Sequence, residues 1–471
     1  MLKALVKDTS IYGMIDFIFK FVNIAIFPII ARYLSVSEFG VFALATTLAS
    51  LIAVTFNCGL TNAVQRYYTD PVTREEEQPQ LVATGLLTLV VLSLFIGGIS
   101  LFVTYVFKED IYNNCQLPWI LILLAIIGTL PTQIFQFSVD LMRLHFRPWK
   151  FALFSALQNT VSVTLSLIFI TRYQWGISGY LLGTVIASMV VAPLSLWSIR
   201  KSLVWSFSWN KCKKLVSFGY PFIFAGIAYW IFGSMDRWML AELSTTEEVG
   251  IYSTAFRIAT IIIFINTAFG QAWSPHALML YRSRPDYRTL YSNFFTMWFF
   301  FLTITAAGLS LFSIEALRIL MPQEYWSASQ VVPYITFGMV LFGTTQITAI
   351  GISLEKKTYH FSISTWITAA VNFILNLYLI PIFGPRGAAF ATFIAYGILT
   401  TYYLICTQSI HPLPLEYRKL FWCLVIFFGS LVFSVWVNSL PWSAFLTTAK
   451  LICFALLPGL GFMIGVYRLA D

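Results

Sequence analysis

Fourteen predominantly apolar stretches of about 20 residues run through this chain, and they constrain its fold more than any other feature. A helix needs about 20 apolar residues to cross the hydrocarbon core of a bilayer. Porin-type strands are about 10 residues long and alternate in polarity, so they do not fit these stretches. Only 10% of the residues are charged, where a soluble domain carries about 25%. We therefore predict an all-α polytopic membrane protein with about 14 transmembrane helices. The predicted spans are 9–31, 39–63, 81–107, 117–140, 150–171, 176–198, 216–236, 249–272, 290–313, 329–353, 360–382, 386–408, 419–438 and 445–467.

The segments between the spans are short, which argues against several classes of protein. The longest polar loops, near 64–80, 199–215 and 273–289, are too short for a catalytic domain, so we predict that the protein is not an enzyme. No GxxxxGK[ST] phosphate loop occurs, which argues against a built-in ATPase. The six cysteines and four histidines show no metal-ligand spacing, so we expect no metal and no other cofactor. Only Cys115 falls in a predicted outer loop, so we also expect no structural disulfide. The first span has no small-residue cleavage site after it, and we interpret it as a retained helix.

Lysine and arginine are distributed unequally between the two predicted sides of the membrane. If the N-terminus is cytoplasmic, 20 of the 29 basic residues lie in cytoplasmic segments and seven on the opposite side, while Lys20 and Arg257 lie inside spans. Cytoplasmic loops of membrane proteins carry this excess of basic residues. We therefore expect both termini to be cytoplasmic. The unequal distribution of basic residues then orients the protein in the membrane, and part of the net charge of +9 meets anionic headgroups. We expect no binding to nucleic acid.

Two pairs of similar segments indicate an internal repeat with a period of about 209 residues. LSVSEFGVFALA (34–45) resembles LSTTEEVGIYSTA (243–255), and GISGYLLGTVIA (176–187) resembles GPRGAAFATFIA (384–395). The glycines in these segments fit tight turns and close helix packing. Each copy contains six spans, an even number, so both copies enter the membrane from the same side, as in two-lobed transporters. The predicted parts are an N-lobe (1–199), a cytoplasmic linker (200–215), a C-lobe (216–408) and two further helices (409–471).

A charged cluster lies inside the first predicted span. Asp16, Lys20 and Asn23 share one helical face, and Lys20 is about 15 Å into the span. A charge at this depth costs at least about 2.5–3.5 kcal/mol, so it should face protein, water or a ligand. A salt bridge between Lys20 and Asp16 that only joins helices would satisfy this requirement. Contact between Lys20 and an anionic substrate in a central cavity would satisfy it as well.

A second intramembrane charge, Arg257, lies about 12 Å from the outer end of the eighth span. Ser253 and Thr260 lie on the same face, and no acidic residue occurs three or four positions away. An ion pair with an acid of another helix would be the structural explanation. A guanidinium group is also suited to bidentate contact with phosphate, so Arg257 is a candidate ligand for a substrate phosphate.

Other polar residues at or near span ends are candidates for gating or structural roles. Asp236 and Arg237 close the seventh span, where we expect them at the outer interface against a Glu-rich loop. Asn372 is deep enough in the eleventh span to donate a hydrogen bond to another helix. Two pairs have the i,i+3 spacing of ion pairs at helix ends, namely Asp140 with Arg143 and Glu315 with Arg318.

Three segments resemble signatures of the polysaccharide flippases, the Wzx-type branch of the multidrug, oligosaccharidyl-lipid and polysaccharide flippase superfamily. They are ARYLSVSEFGVFALA (31–45), DRWMLAELSTTEEVGIYSTAFRI (236–258) and LIPIFGPRGAAFATFIAYG (379–397). Their order and spacing extend the resemblance over nearly the whole chain. The resemblance implies a V-shaped two-lobed fold with a cationic central cavity. It also implies alternating-access transfer of undecaprenyl-pyrophosphate-linked oligosaccharide repeat units from the cytoplasmic to the outer leaflet of the bacterial inner membrane.

The resemblance also carries expectations about partners and driving force. The partners would be the lipid-linked oligosaccharide, membrane lipid and polysaccharide polymerase or assembly proteins, and we expect a monomer. Direction would come from a proton or sodium gradient, the membrane potential or consumption of the product. Asp16 is the candidate residue for coupling to H⁺ or Na⁺.

Three alternative functions are open at this point. Fourteen spans exceed the twelve often drawn for Wzx proteins, and the additional pair resembles that of the lipid II flippases. A cation-coupled multidrug exporter of the same superfamily should prefer carboxylates in its cavity, and here Asp16 is the only clearly intramembrane acid. A membrane glycosyltransferase or polysaccharide polymerase would need a large outer loop, and the predicted outer loops are short.

Overall fold

A computed structural model of the protein describes residues 22, 26–70, 74–355, 357 and 359–466, and the structural statements below concern this part of the chain. It contains 13 helices that are long and apolar enough to cross a membrane. They match the second to fourteenth predicted spans one for one, which confirms the predicted all-α membrane fold. Of the first predicted span, the structure describes residues 22 and 26–31, all of them helical.

The helices are numbered here in chain order within the described residues. They are α1 (Val36–Asn57), α2 (Leu60–Tyr68), α3 (Gln78–Val106), α4 (Lys108–Cys115), α5 (Trp119–Leu144), α6 (Pro148–Thr171), α7 (Gly176–Ile199), α8 (Trp209–Leu243), α9 (Thr246–Ser283), α10 (Tyr287–Leu311), α11 (Ser313–Leu320), α12 (Val332–Thr348), α13 (Ile350–Leu354), α14 (Tyr359–Phe383), α15 (Pro385–Ile410), α16 (Tyr417–Ser439) and α17 (Ala444–Ile464). The segments Glu75–Glu77, Arg200–Ser202 and Gln323–Gln330 are short 3-10 helices.

The chain forms two compact units, Met1–Ser234 and Met235–Asp471, which divide inside α8. The first part of α8 belongs to the first unit because it packs on α1 and the turn that follows it. Trp230 Nε1 donates a hydrogen bond to the Thr47 carbonyl at 2.8 Å. A Cβ atom added to Gly219 would lie 3.2 Å from the carbonyl carbon of Gly59, so the two backbones are in close contact.

The second predicted span, 39–63, is interrupted in the structure. Helix α1 ends at Asn57, and α2 begins at Leu60 after two residues in the left-handed region, Cys58 (φ 47°) and Gly59 (φ 66°). Glycine is required at the second position because a Cβ there would lie 2.9 Å from the Cβ of Phe222 on α8. A hydropathy window cannot detect this turn, since the residues around it are apolar.

The predicted repeat appears as the same helix start in both units. Ser35 caps α1 and Thr245 caps α9, each accepting a hydrogen bond at 3.2 Å from the backbone N–H three residues later. Those third residues are both glutamates, Glu38 and Glu248, as in the capping-box sequence. The offset of 210 residues between the two caps equals the offset found in the sequence comparison of this segment.

The second pair of repeat segments has matching geometry as well. Gly176 before α7 has φ 52°, and Gly384 before α15 has φ 56°, so both turns need a left-handed residue. Each glycine also faces the glutamate of the helix start in its own unit. An added Cβ would lie 3.6 Å from Glu38 Oε1 at Gly176, and 2.7 Å from Glu248 Oε2 at Gly384.

In the second unit, the span Val332–Leu354, formed by α12 and α13, is the most enclosed of the described spans, with 78% of its apolar stretch buried. Helices α9, α10 and α15 pack around it. The last helix, α17, is at the opposite extreme, with 11% buried. The end of α8 and the start of α9 lie beside α14 and α15, and this arrangement brings the polar residues described next together.

Candidate functional site: a buried polar network around Asp236

The predicted cavity residues are only partly covered by the described chain. Asp16, Lys20 and Asn23 lie outside it. Arg257 is half-buried on α9 and takes part in an interaction within the protein. Ser253, one turn earlier, is buried, and its hydroxyl has no hydrogen-bond partner within the described residues.

Thr260, one turn after Arg257, is half-buried, and its hydroxyl donates to the Phe256 carbonyl of its own helix at 2.9 Å. The hydroxyl of Thr260 can still accept a hydrogen bond through its second lone pair. The three residues Ser253, Arg257 and Thr260 therefore form a continuous polar stripe on one face of α9, as their spacing predicted.

The expectation that Asp236 and Arg237 end a span at the outer interface is wrong. Helix α8 continues to Leu243, and the exposed fractions of the two side chains are 2% and 8%. The hydropathy pattern stops at the first charge, but the helix does not, because neighbouring helices satisfy that charge. The described chain therefore encloses an acid, Asp236, that the hydropathy pattern placed at the end of a span.

The Asp236 carboxylate accepts hydrogen bonds from three other helices. The hydroxyl of Tyr252 on α9 donates to Oδ2 at 2.6 Å, and Thr392 on α15 donates to the same oxygen at 2.8 Å. The amide of Asn376 on α14 donates to Oδ1 at 2.7 Å. A buried carboxylate is costly unless it is well hydrogen-bonded, and these three donors meet that need.

A second layer of contacts fixes the donors. Asn376 also donates to Asn372 Oδ1 at 3.1 Å, and Asn372 lies 3.4 Å from the Thr392 hydroxyl. All of these side chains have exposed fractions of 2% or less. Asn372 therefore makes the contact to another helix that its depth predicted. The guanidinium carbon of Arg237 lies 4.5 Å from the centre of the Phe256 ring, beside this network.

The network is rich in oxygen atoms. It contains both carboxylate oxygens of Asp236, the side-chain oxygens of Asn372 and Asn376, and the hydroxyl of Thr392. The Asn376 Oδ1 atom is buried and has no hydrogen-bond partner within the described residues. Carboxylate, amide and hydroxyl oxygens are the ligands that hard cations prefer, and a carboxylate can also bind a proton. These ligands carry one negative charge and the Arg237 guanidinium lies beside them, so the set suits a proton better than a divalent cation. No group of three or more His, Cys, Asp or Glu residues that could hold a metal ion occurs in the described chain.

Sequence reasoning identified Asp236 and Asn372 separately and missed their connection. Tyr252 is 16 positions from Asp236 in the sequence, and Asn376 and Thr392 are 140 and 156 positions away. One signal was present, since Asn372 and Asn376 are four residues apart and share a helix face. Asparagines on the same face of a buried helix require a polar partner on a neighbouring helix.

The two predicted i,i+3 pairs differ in the structure. Asp140 and Arg143 lie 3.6 Å apart at the end of α5. Glu315 instead pairs with Lys450 of α17, and Arg318 lies between two tryptophan rings. The local expectation for Glu315 and Arg318 is therefore wrong, because a residue distant in sequence supplies the counter-charge.

Comparison with known proteins identifies the family. A family model described as "Polysaccharide biosynthesis protein" matches residues 5–281, which is more than half of the chain. The chain belongs to this family of polysaccharide biosynthesis proteins. The chain is 24% identical over 422 residues to a curated relative, the probable low-salt glycan biosynthesis flippase Agl15 of Haloferax volcanii. The alignment covers 86% of this chain and 83% of that protein. The chain is also 26% identical over 263 residues to the succinoglycan biosynthesis transport protein ExoT of Rhizobium meliloti, covering 55% and 49%.

Solved structures support the same fold for this family member. The lipid II flippase MurJ in an inward closed conformation matches with a TM-score of 0.75 and 16% identity, covering 97% of this chain and 99% of that one. An inward-facing multidrug resistance transporter of the MATE family matches with a TM-score of 0.59 and 14% identity, covering 83% and 97%. At these identities the likeness concerns the fold alone. The predicted resemblance to the flippase superfamily is confirmed, and the chain is a multi-pass membrane protein of the polysaccharide biosynthesis family.

Proposed function

We propose that this protein is a flippase that moves undecaprenyl-pyrophosphate-linked oligosaccharide repeat units from the cytoplasmic to the outer leaflet of a bacterial inner membrane by alternating access. The observation that carries this proposal is the family match together with the relative named as a glycan biosynthesis flippase, which aligns over 86% of the chain. Both termini would lie in the cytoplasm, as the distribution of basic residues predicts. The protein would work as a monomer and deliver its substrate to polymerase or assembly partners.

The transported headgroup explains why a helix of this chain carries Arg257. A pyrophosphate and sugar hydroxyls would lose their water in the bilayer, which makes unaided transfer prohibitively costly. A cationic group in the path lowers that cost by supplying counter-charge. In this proposal Arg257 contacts the phosphate, Ser253 and Thr260 supply neighbouring hydroxyls, and Lys20 contributes a second positive charge with Asn23 beside it.

The network around Asp236 provides a candidate site for the driving ion. Its carboxylate is buried and receives hydrogen bonds from neutral donors, so binding of a proton or a sodium ion would change the charge of the site. A change of charge inside packed helices can shift the balance between two conformations, because one of them will solvate the charge better. Asp16 is the second candidate residue for this coupling.

The first experiment tests export in cells. The native gene is deleted and complemented with wild type, Arg257→Ala, Arg257→Lys or Lys20→Ala, and membrane insertion is measured for each strain. Arg172→Ala is the matched control, because Arg172 is an exposed arginine in the first unit. We expect the Arg257→Ala and Lys20→Ala strains to lose surface glycan and to accumulate lipid-linked repeat units inside the cell.

Three other results would contradict parts of the proposal. Normal surface glycan in well-inserted alanine variants would mean that Arg257 and Lys20 are structural. Accumulation of lipid-linked peptidoglycan precursor in the deletion strain would make the protein a lipid II flippase. Unchanged glycan in the deletion strain together with sensitivity to cationic drugs would favour a multidrug exporter. The buried carboxylate of Asp236 would also suit that function.

Ion coupling is tested with purified protein in proteoliposomes. Transfer of a fluorescent lipid-linked oligosaccharide is measured with no gradient, with a proton gradient and with a sodium gradient. We expect one of the gradients to stimulate the wild type and to leave Asp236→Asn unchanged. The control Asp110→Asn removes an exposed acid and should respond like the wild type. If Asp236→Asn responds to the gradient as the wild type does, Asp236 is not the coupling site.

A further inference from the structure

A cavity of about 210 Å³ lies in the second unit, away from the Asp236 network. It is formed where α11 and the 3-10 segment Gln323–Gln330 meet the adjoining ends of α16 and α17. Its lining includes Arg318, Trp326, Asn438, Trp442 and Lys450. A water molecule occupies about 30 Å³ in the liquid, so the cavity has room for a group of several heavy atoms.

Arg318 is held between two aromatic rings in this cavity. Its guanidinium carbon lies 4.4 Å from the centre of the Trp326 ring and 4.3 Å from the centre of the Trp442 ring. These cation–π contacts fix the plane of the guanidinium group and leave its N–H donors to point outward from the edge of that plane. The Nε atom of Arg318 is buried and has no hydrogen-bond acceptor within the described chain. A fixed arginine with an unused donor is the arrangement that proteins use to bind oxyanions.

The nearby acid does not neutralise Arg318. Glu315 is instead paired with Lys450, whose Nζ lies 2.8 Å from Oε1 and 3.1 Å from Oε2. Thr447 adds a third hydrogen bond to the same carboxylate at 3.0 Å. Lys450 is only 1% exposed, so this pair is a closed structural contact. Arg318 and Lys450 carry two positive charges and Glu315 one negative charge, so the net charge at the cavity is +1.

The surroundings of the cavity indicate a lipid boundary. Ile319 and Leu320 at the end of α11 and Phe445 at the start of α17 have exposed fractions of 76%, 47% and 83%. Tryptophan and arginine at the ends of membrane helices typically lie at the level of the lipid headgroups. A free anion would gain nothing from this exposed apolar rim, whereas the acyl chains of a lipid would cover it.

A separate apolar groove of about 250 Å³ lies further along the same two helices, α16 and α17. Leu446 and Lys450 of α17 line the cavity, and Cys453, Leu457 and Leu460 line the groove. These five positions are spaced by three or four residues, so they form one continuous face of α17. A molecule with an anionic head and an apolar tail would match both parts of this face.

We propose that the Arg318 cavity binds the phosphodiester of an anionic phospholipid headgroup, with an acyl chain along the α16–α17 groove. The phosphate oxygens accept hydrogen bonds from the edge of the stacked guanidinium. Net-anionic headgroups bind more tightly than zwitterionic ones, because a quaternary ammonium would meet the net positive charge of the cavity. This binding does not depend on which substrate the protein transports.

The test is native mass spectrometry of the full-length protein in detergent, titrated with phosphatidylglycerol or phosphatidylcholine of the same chain length. We expect Arg318→Gln to weaken phosphatidylglycerol binding at least about tenfold, since a charge-assisted contact is lost. Arg318→Lys keeps the charge but loses the planar stacking, so its affinity for phosphatidylglycerol should lie between those of the wild type and Arg318→Gln. The matched control is Arg172→Gln, which should bind like the wild type. Equal binding of the two lipids by the wild type, or an equal loss in Arg172→Gln, would overturn the proposal.

A second measurement needs no variant and covers the case in which Arg318→Gln does not fold. Hydrogen exchange of the wild-type protein is compared in nanodiscs of phosphatidylglycerol and of phosphatidylcholine. We expect slower exchange in residues 313–330 and 438–450 with phosphatidylglycerol. Equal exchange in both nanodiscs would refute the site. If millimolar inorganic phosphate produces the same protection in phosphatidylcholine nanodiscs, the site binds a free anion and the lipid proposal is wrong.

Discussion

The contact between α6 and α7 leaves no room for a side chain at Gly183. A Cβ atom added there would lie 2.6 Å from the Ser166 backbone nitrogen and 2.8 Å from the Ser166 Cα. Real Cβ contacts essentially never fall below 3.0 Å, so Gly183→Ala must separate the two backbones by about 0.4 Å. A rotamer change could move the Ser166 Oγ, which also lies 2.6 Å away, but it cannot move the two backbone atoms of α6.

The size of the effect follows from two opposing contributions. Overpacking costs about 1–3 kcal/mol, and replacing glycine by alanine in a helix recovers up to about 1 kcal/mol. We therefore expect Gly183→Ala to reduce the free energy of unfolding by roughly 1–2 kcal/mol. For a unit of about 200 residues this corresponds to a decrease in Tm of roughly 3–6 °C.

The assay is thermal unfolding of the purified protein in detergent, with Gly98→Ala as the matched control. Gly98 is an exposed glycine inside α3 of the same unit, and an added Cβ there would have no heavy atom within 4 Å. The control should keep its Tm or rise slightly. If Gly183→Ala unfolds within about 1 °C of the wild type and Gly98→Ala does the same, the helices tolerate the overlap and the close approach is not needed for packing.

Two further predictions concern charged and titrating groups. Lys450→Met should destabilise the protein by about 3 kcal/mol, because the half-buried Glu315 carboxylate loses its cation. Adding Glu315→Gln should restore much of the loss in a thermal double-mutant cycle, and additive losses would contradict the pairing. His145 follows α5, and its Nε2 atom is hydrogen-bonded to the Tyr68 hydroxyl at 2.8 Å. Burial, together with the charge of Arg147, lowers the pKa of His145. The unfolded chain then binds more protons as pH falls below about 6.5, so stability declines from pH 7 to 5. His145→Gln should flatten this part of the Tm profile, and an unchanged slope would refute the assignment.

The number and order of the described spans could be predicted because each needs only a local property, an apolar run of sufficient length. Helix ends were less predictable. Helices α8 and α9 have 35 and 38 residues, while the predicted spans 216–236 and 249–272 were much shorter. Both ends of α8 carry charged residues such as Lys211 and Arg237, and a hydropathy window stops at such a charge whether or not the helix continues. The repeat, in contrast, was predictable from sequence, since the caps at Ser35 and Thr245 and the left-handed glycines are local features as well.

The polar network was the least predictable part, because its members are far apart in sequence. Asp236 looks like the end of a span when only its neighbours are considered. Its burial becomes reasonable once Asn376 and Thr392 are brought to it by α14 and α15. Lys450 is a similar case, since it stands near the start of a span and only the position of Glu315 makes its burial favourable.

Two acids of the second unit, Glu315 and Asp236, are satisfied by different kinds of partner. The difference bears on which of them suits the proposed ion coupling. Glu315 is held by the ammonium group of Lys450, so protonating it would leave a buried cation without its partner, at a cost of several kcal/mol. Asp236 is held by two hydroxyls and an amide, which are neutral and can be rearranged around a proton or a cation. An acid of the first kind resists any change of charge and stabilises the packing of α11 on α17. In the proposed coupling, Asp236 gains or loses a positive ion by rearranging these neutral donors, and the nearby Arg237 keeps its contact with the Phe256 ring in either charge state.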